Sequence, residues 1–349
     1  MPPDMRVEPA KSAFPIICLM LLLCAQTVAN AHETLRVLAW PGYADTEIVA
    51  LFRQRFNVDV EVTAVSSDDD LWDKIGTGGF DVFAANTAEL QRYIKQNLAT
   101  PIDIGNIPNH KNQLPRFQNL AAIPGLMHDG KLYAIPYTYS EMGLIYNRKT
   151  VKAIPDSMAA MWDPVYRGRV LAFNASNHNF SVAGLLMGVK NPFDMDDGEL
   201  ARAAKRLVDL RRNVLTFYAT AEEAATLFSK YDITLLFGNY GTQQLKALRE
   251  AGADIGYIIP KEGALAWLDC WAITPAAANR KLAENWINFM LEYAVSQHLT
   301  DKHGLANTVA PFPDSRENDK IIWLEPLSEP GKRKALWDRI ISGDSPETF

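Results

Sequence analysis

Apolar and polar positions follow two rhythms along this chain. Leu35-Arg-Val-Leu-Ala-Trp40 is a short apolar run closed by Pro41-Gly42, which predicts a strand ending in a turn. From Asp45 to Phe56 the apolar residues Ile48, Val49, Phe52 and Phe56 recur at helical spacing. Val58-Asp-Val-Glu-Val62 alternates in period two, as a half-buried strand does. A helix from Asp68 to Ile75, a strand Phe80-Asp-Val-Phe-Ala84 and a helix from Thr87 to Lys95 repeat the pattern. Strands alternating with helices of this length predict βαβ units and a largely parallel sheet. Ligands of such sheets sit beyond the carboxyl ends of the strands, which singles out 40–44 and 84–88, Asn86 included.

The middle of the chain has a different texture. Tyr133–Tyr139 and Gly143–Asn147 read as extended segments, and the break between them, Tyr137–Asn147 with Ser140, is the expected hinge. A strand at Val170–Phe173 leads to a helix entering near Asn179. Helices at Asp196–Arg212 and Ala221–Lys230, strands at Ile233–Phe237, Ile255–Ile259 and Ala272–Thr274, and one long helix Arg280–Ser296 complete the pattern. Two α/β lobes are expected, with a return crossing near Trp267–Ala272. Trp323 and Trp337 argue that the last stretch packs, since two exposed tryptophans would be unusual.

Composition narrows the classes. The 349 residues carry 35 Lys and Arg against 41 Asp and Glu, a net −6 with no basic stripe, which excludes a general nucleic-acid binder. Arg6 and Lys11 precede the apolar run Ala13–Cys24, and Ala29-Asn-Ala31 offers small residues for cleavage. This is the layout of an export signal over residues 1–31, with a run too short to span a bilayer. After cleavage only Cys270 remains, so no internal disulfide is expected.

Catalytic motifs are missing from the pattern. The histidines show no H-E-x-x-H spacing and Cys270 has no Cys or His neighbour, so neither metal nor cofactor is expected. Gly125–Lys131 has P-loop spacing, but Leu132 replaces the hydroxyl residue, and His128-Asp-Gly-Lys131 reads better as a hairpin turn. Asp68-Asp-Asp70 reads as a helix cap with first-turn charges rather than as a cation site. What remains is aromatic residues beside polar ones. Trp40 and Tyr43 follow the first strand, where they face either a ligand or a packed rim. In Trp267-Leu-Asp-Cys-Trp271, Trp267, Asp269 and Trp271 share one face of a strand. A carboxylate between aromatic rings suits a primary ammonium through a charge-assisted hydrogen bond and cation–π attraction; the alternative is an Asp capping a nearby loop.

From Leu35 to about Pro313 the segments resemble the periplasmic polyamine-binding proteins of ABC importers, the spermidine/putrescine type. The matching stretches are Leu38–Tyr43, Phe80–Val82, Ala134–Tyr137 through Gly143–Asn147, Asp163–Gly168, Pro260–Gly263 with Trp267–Asp269, and Ala283–Met290. The resemblance implies an α/β, two-lobe periplasmic binding protein fold, type II-like, with the ligand cleft between lobes. The expected division is a signal at 1–31, a first lobe from 32 to 138, a second from 139 to 268, and a return with a C-terminal segment at 269–349. It also implies ligand-binding roles for Trp40, Tyr43, Phe237, Trp267 and Asp269, with Phe237 where the family often has a Trp; Asn86, Ser140 and His178 are expected to join them at the cleft. The chain departs from the family at Asn174–Asn179, where acidic residues for further amines are replaced by Asn, Ser and His, and at Ala88, where an aromatic is expected.

One retained carboxylate suits a ligand with one ammonium, because a second buried cation would lack a counter-charge. Its other end would meet Asn174, Ser176, Asn177 and His178 and the opening N–H groups of the following helix. The expected function is a monomeric periplasmic solute-binding protein that closes on a small amine, either a polyamine or an ω-amino acid such as 4-aminobutyrate, and hands it to a membrane permease. Glu141 on the hinge segment is a possible further acid. The alternatives are a ligand-presenting sensor for a membrane receptor and an exported enzyme acting on amines.

Overall fold

A computed structural model describes residues 1, 32–314 and 318–349. The proposed export signal, Ala13–Ala31 in its essential part, lies outside the described residues. The chain opens as the two rhythms require: β1 (Thr34–Ala39), α1 (Thr46–Phe56), β2 (Asp59–Ala64), α2 (Asp68–Thr77), β3 (Val82–Asn86) and α3 (Thr87–Lys95). β1 pairs in parallel with both β2 and β3. Met127–His128 (β4) and Lys131–Leu132 (β5) form a hairpin with Asp129 and Gly130 both at positive φ, the conformation of a two-residue type I′ turn.

β6 (Ala134–Met142), buried along its whole length, carries the chain out of the first sheet and into β7 (Leu144–Asn147) of a second one. The second unit continues as β8 (Val170–Phe173), α4 (Ser176–Leu186), α5 (Asp197–Asn213), β9 (Thr216–Tyr218), α6 (Ala221–Lys230), β10 (Leu235–Phe237), α7 (Gly241–Glu250) and β11 (Ile255–Ile258). The return is β12 (Ala264–Ile273), followed by α8 (Arg280–Met290), α9 (Tyr293–His303), β13 (Ala306–Asn307), β14 (Ile321–Trp323) and α10 (Pro330–Ser342). The first sheet has the order β13-β6-β12-β3-β1-β2 with β14 beside β12; the second is β11-β7-β10-β8-β9.

Three expectations are corrected. The first sheet is mixed rather than largely parallel, because β12 runs antiparallel between β3 and β6. The single helix expected over Arg280–Ser296 is two helices: Glu292 is extended (φ −68, ψ 139), and the Ser296 hydroxyl donates to the Met290 carbonyl at 2.8 Å. The apolar period runs on through the break because both helices bury one face on the same core. The third is α7, which the pattern did not announce.

The lobes meet in close backbone packing. A Cβ on Gly143, between β6 and β7, would lie 2.5 Å from the Ile258 carbonyl and from the Tyr257 ring, so only glycine fits. The Tyr257 hydroxyl donates to the Glu141 carbonyl at 2.8 Å and accepts from the Gly143 N–H at 3.2 Å. The C-terminal stretch crosses both units: Trp323 packs on Phe117 and Tyr139, while Trp337 packs on Phe217 and donates to Asn174.

Candidate functional site

The Trp40–Tyr43 turn closes through the Tyr43 N–H to the Trp40 carbonyl (3.1 Å), with Gly42 at φ +87. It folds the Tyr43 ring onto Tyr137 and Trp271 in edge-on contacts, centroids 5.6 and 6.5 Å apart, with Trp286 beneath Trp271. On this rigid bed the Tyr43 hydroxyl donates to the Asp269 carboxylate at 2.5 Å. Asp269 is 7% exposed, and burial pushes its carboxyl up to about 7, assisted by the charge of Asp68 and opposed by the Tyr43 bond. Burial and the neighbouring carboxylate push the Tyr43 phenol well above its ordinary value, so it stays the donor.

Asn86 stands directly opposite Asp269 in the ladder between β3 and β12. Its side-chain oxygen caps α3 by accepting the Glu89 N–H (3.0 Å), which leaves its amide to donate to Asp68 at 3.1 Å. Asp68 opens α2 at the solvent-facing side, and the surrounding walls, with the charges of Glu89 and Asp69, raise its carboxyl to about 6. The cap and ion pair of that helix belong to its neighbours: Ser67 accepts the Asp70 N–H and Asp70 pairs with Lys74.

These groups line a cavity of about 460 Å³ between the two units. Its first-unit wall carries Trp40, Tyr43, Asp68, Asn86, Trp267 and Asp269; His178, Asn239, Tyr240 and Gln243 face them. Past Asp68, Asn86, His178 and Leu324 the space widens into a chamber of about 540 Å³. His178 Nδ1 lies 2.7 Å from the Asn239 side-chain oxygen, and burial pushes its pKa down. An amide oxygen only accepts, so Nδ1 carries the proton and Nε2 remains an acceptor on a neutral ring.

Six of the eight residues singled out by sequence, Trp40, Tyr43, Asn86, His178, Trp267 and Asp269, are brought to one cavity. Two are elsewhere. Ser140 lies at the junction of the units, accepting the Thr242 N–H (3.2 Å) and reaching the Tyr240 carbonyl (3.3 Å). Phe237 is 1% exposed in the core of the second unit, because β10 is a central strand. Of the polar run expected to meet the ligand's far end, Asn174 is bound to Trp337, whereas Asn177 and His178 line the chamber. Glu141 is buried on the hinge within 3.5 Å of Arg116 and is not in the cavity wall. Trp271, on the Asp269 face as expected, is a core residue under Tyr43.

Sequence reading missed Asp68, whose run looked like helix capping, and Asn239, Tyr240 and Gln243, which lie around the unannounced start of α7. Among the described residues one potential metal-binding group, Asp45, Glu47 and His298, comes together, but the Lys302 ammonium pairs with both of its acids at 3.2 and 3.1 Å.

The family model described as bacterial extracellular solute-binding protein matches residues 47–323. The chain belongs to that family. It is 25% identical over 281 residues to the spermidine/putrescine-binding periplasmic protein 1 of Haemophilus influenzae, covering 79% of this chain and 75% of that one. The spermidine/putrescine ABC transporter substrate-binding protein PotD of Streptococcus pneumoniae superposes with a TM-score of 0.75 at 19% identity, over 89% of this chain and 99% of that one. A GABA receptor superposes at 0.68 with 16% identity, over 88% and 97%. These two likenesses establish the two-lobe fold of this solute-binding protein, with its cavity between the lobes.

Proposed function

We propose that this solute-binding protein works in the periplasm, where it captures a small amine-bearing solute and delivers it to the membrane permease of an ABC importer. The amine is either a polyamine such as putrescine or spermidine or a mono-amine relative such as 4-aminobutyrate. One observation carries the reading: Asp269, nearly buried, opens on the interlobe cavity that Trp40 and Trp267 also line, and among the described residues it forms no ion pair. Such a carboxylate lacks a cation, and an ammonium supplies one while the indole faces stabilise its charge. The export-signal layout of residues 1–31 and the relatives named as periplasmic binding proteins support the location and the role.

Binding would draw the second lobe onto the first about Gly143 and the return crossing before Ala264, with no covalent step. Titration calorimetry against polyamines, ω-amino acids and α-amino acids tests the ligand class, and recovery of the ligand unchanged tests the absence of turnover. Small-angle scattering should show compaction on binding. A protein that binds none of these amines, or binds a neutral solute instead, would overturn the proposal.

A further inference from the structure

We infer that Asp68 is a specificity-determining residue of this cleft, a second acid on the first lobe that holds the far ammonium of a diamine or polyamine anchored at Asp269. The inference rests on the amine reading above and narrows it. A binding site built for one ammonium needs one acid, and a second acid in the same cavity would weaken a ligand whose far end is a carboxylate.

The structure supplies that second acid on the first lobe, not at the second-lobe segment Asn174–Asn179 where the family pattern places it. Three relationships position it. Asn86 is the ladder partner of Asp269 and its side chain donates to Asp68, so one residue ties both acids to the same pair of strands. The Asn86 cap bond to Glu89 fixes which end of its amide points at Asp68. Among the described residues neither Asp68 nor Asp269 forms an ion pair, whereas Asp70 on the same turn does. Asp68 is also shared by the inner cavity and the outer chamber, so a chain anchored at Asp269 passes it on the way out. The facing groups on the second lobe, His178 and Asn239, are tied to each other and neutral. They offer polar contact without charge to the inner cavity, where Asp68 and Asp269 are the only acids among the described residues that line it.

Calorimetry with putrescine, 1-aminobutane and 4-aminobutyrate on wild type, Asp68→Asn, Asp69→Asn and Asp269→Asn separates the possibilities. Wild type should prefer putrescine to 1-aminobutane and to 4-aminobutyrate by at least about tenfold, the yield of one further charge contact. Asp68→Asn should remove that preference and leave 1-aminobutane nearly unchanged, whereas Asp269→Asn weakens every amine. Asp69→Asn, exposed on the same turn and outside the cavity, reports a purely long-range effect and should change little. Equal losses at Asp68 and Asp69, an intact putrescine preference in Asp68→Asn, or 4-aminobutyrate as the tightest ligand would each overturn the second anchor. Those outcomes leave the amine reading standing; unaltered amine binding in Asp269→Asn would remove the amine reading itself.

Discussion

Asn86 and Asp269 face each other across the β3–β12 ladder, and through the Asn86 amide that pairing extends to Asp68. Neighbouring antiparallel strands thus hold one acid directly and tether the other, at the start of α2, at one remove. Rigid placement limits the ordering that remains to be done when a flexible ligand arrives.

The bond from Tyr43 to Asp269 is the first place to test this. Tyr43→Phe keeps the ring packed on Tyr137 and Trp271 but removes the donor. The ionised form of Asp269 then loses a stabilising partner, so ligand affinity should fall by about 1.5–3 kcal/mol, the usual worth of a hydrogen bond to a charged group. Calorimetry showing no loss would mean that Asp269 is not ionised in the complex.

Affinity should depend on pH in a defined direction. Free Asp269 and Asp68 titrate near 7 and 6, and a cation binds their ionised forms. Below pH 6 both must lose a proton for the ligand to bind, so affinity should rise with pH and level off above about 8. Calorimetry at pH 6.5 in buffers of differing ionisation enthalpy should detect proton release. A flat profile between pH 5.5 and 8.5 would contradict the raised carboxyls.

Stability of the free protein should run against binding. The folded-state carboxyl of Asp269 is raised from 3.8 to about 7, so the folded state favours its protonated form. No penalty exists below pH 4; it grows through the interval between the two values and is complete above 7. Asp269→Asn should therefore melt higher than wild type at pH 8, by roughly 1–3 kcal/mol of stability, and match it near pH 4. A variant less stable at pH 8 would show that the carboxylate contributes to the fold.

At the crossing, Gly143→Ala should destabilise by about 1–3 kcal/mol, as overpacking does, since its new methyl meets the Ile258 carbonyl and the Tyr257 ring. The same wedge should alter lobe closure while the cavity residues stay in place. Denaturant melts and scattering with and without ligand read the two effects separately; an unchanged melt would mean that the crossing adjusts freely.

Much of the fold was legible because its signals are local. Apolar period gave the strand and helix order of the first lobe, and the β12 alternation put Trp267, Asp269 and Trp271 on one side. Trp40, Tyr43 and Asp269 stood out because an aromatic or acidic residue at a strand end conflicts with simple core packing. The split at Leu291–Glu292 was not legible, since the helical period continues across it.

The sequence by itself determined which segments alternate, where the chain could turn, and that an acid lies between aromatic residues on one strand. Only the tertiary structure decided the direction of β12, the burial of Phe237 inside the second lobe, and the place of Ser140 at the junction. It also separated Asp68 from its acidic neighbours: the three share one helix turn, but only Asp68 is reached by Asn86 from another strand. Local pattern reports which face a residue occupies along its own element. Which distant element meets that face depends on how strands 183 positions apart pair, as Asn86 and Asp269 do, and no local spacing encodes that.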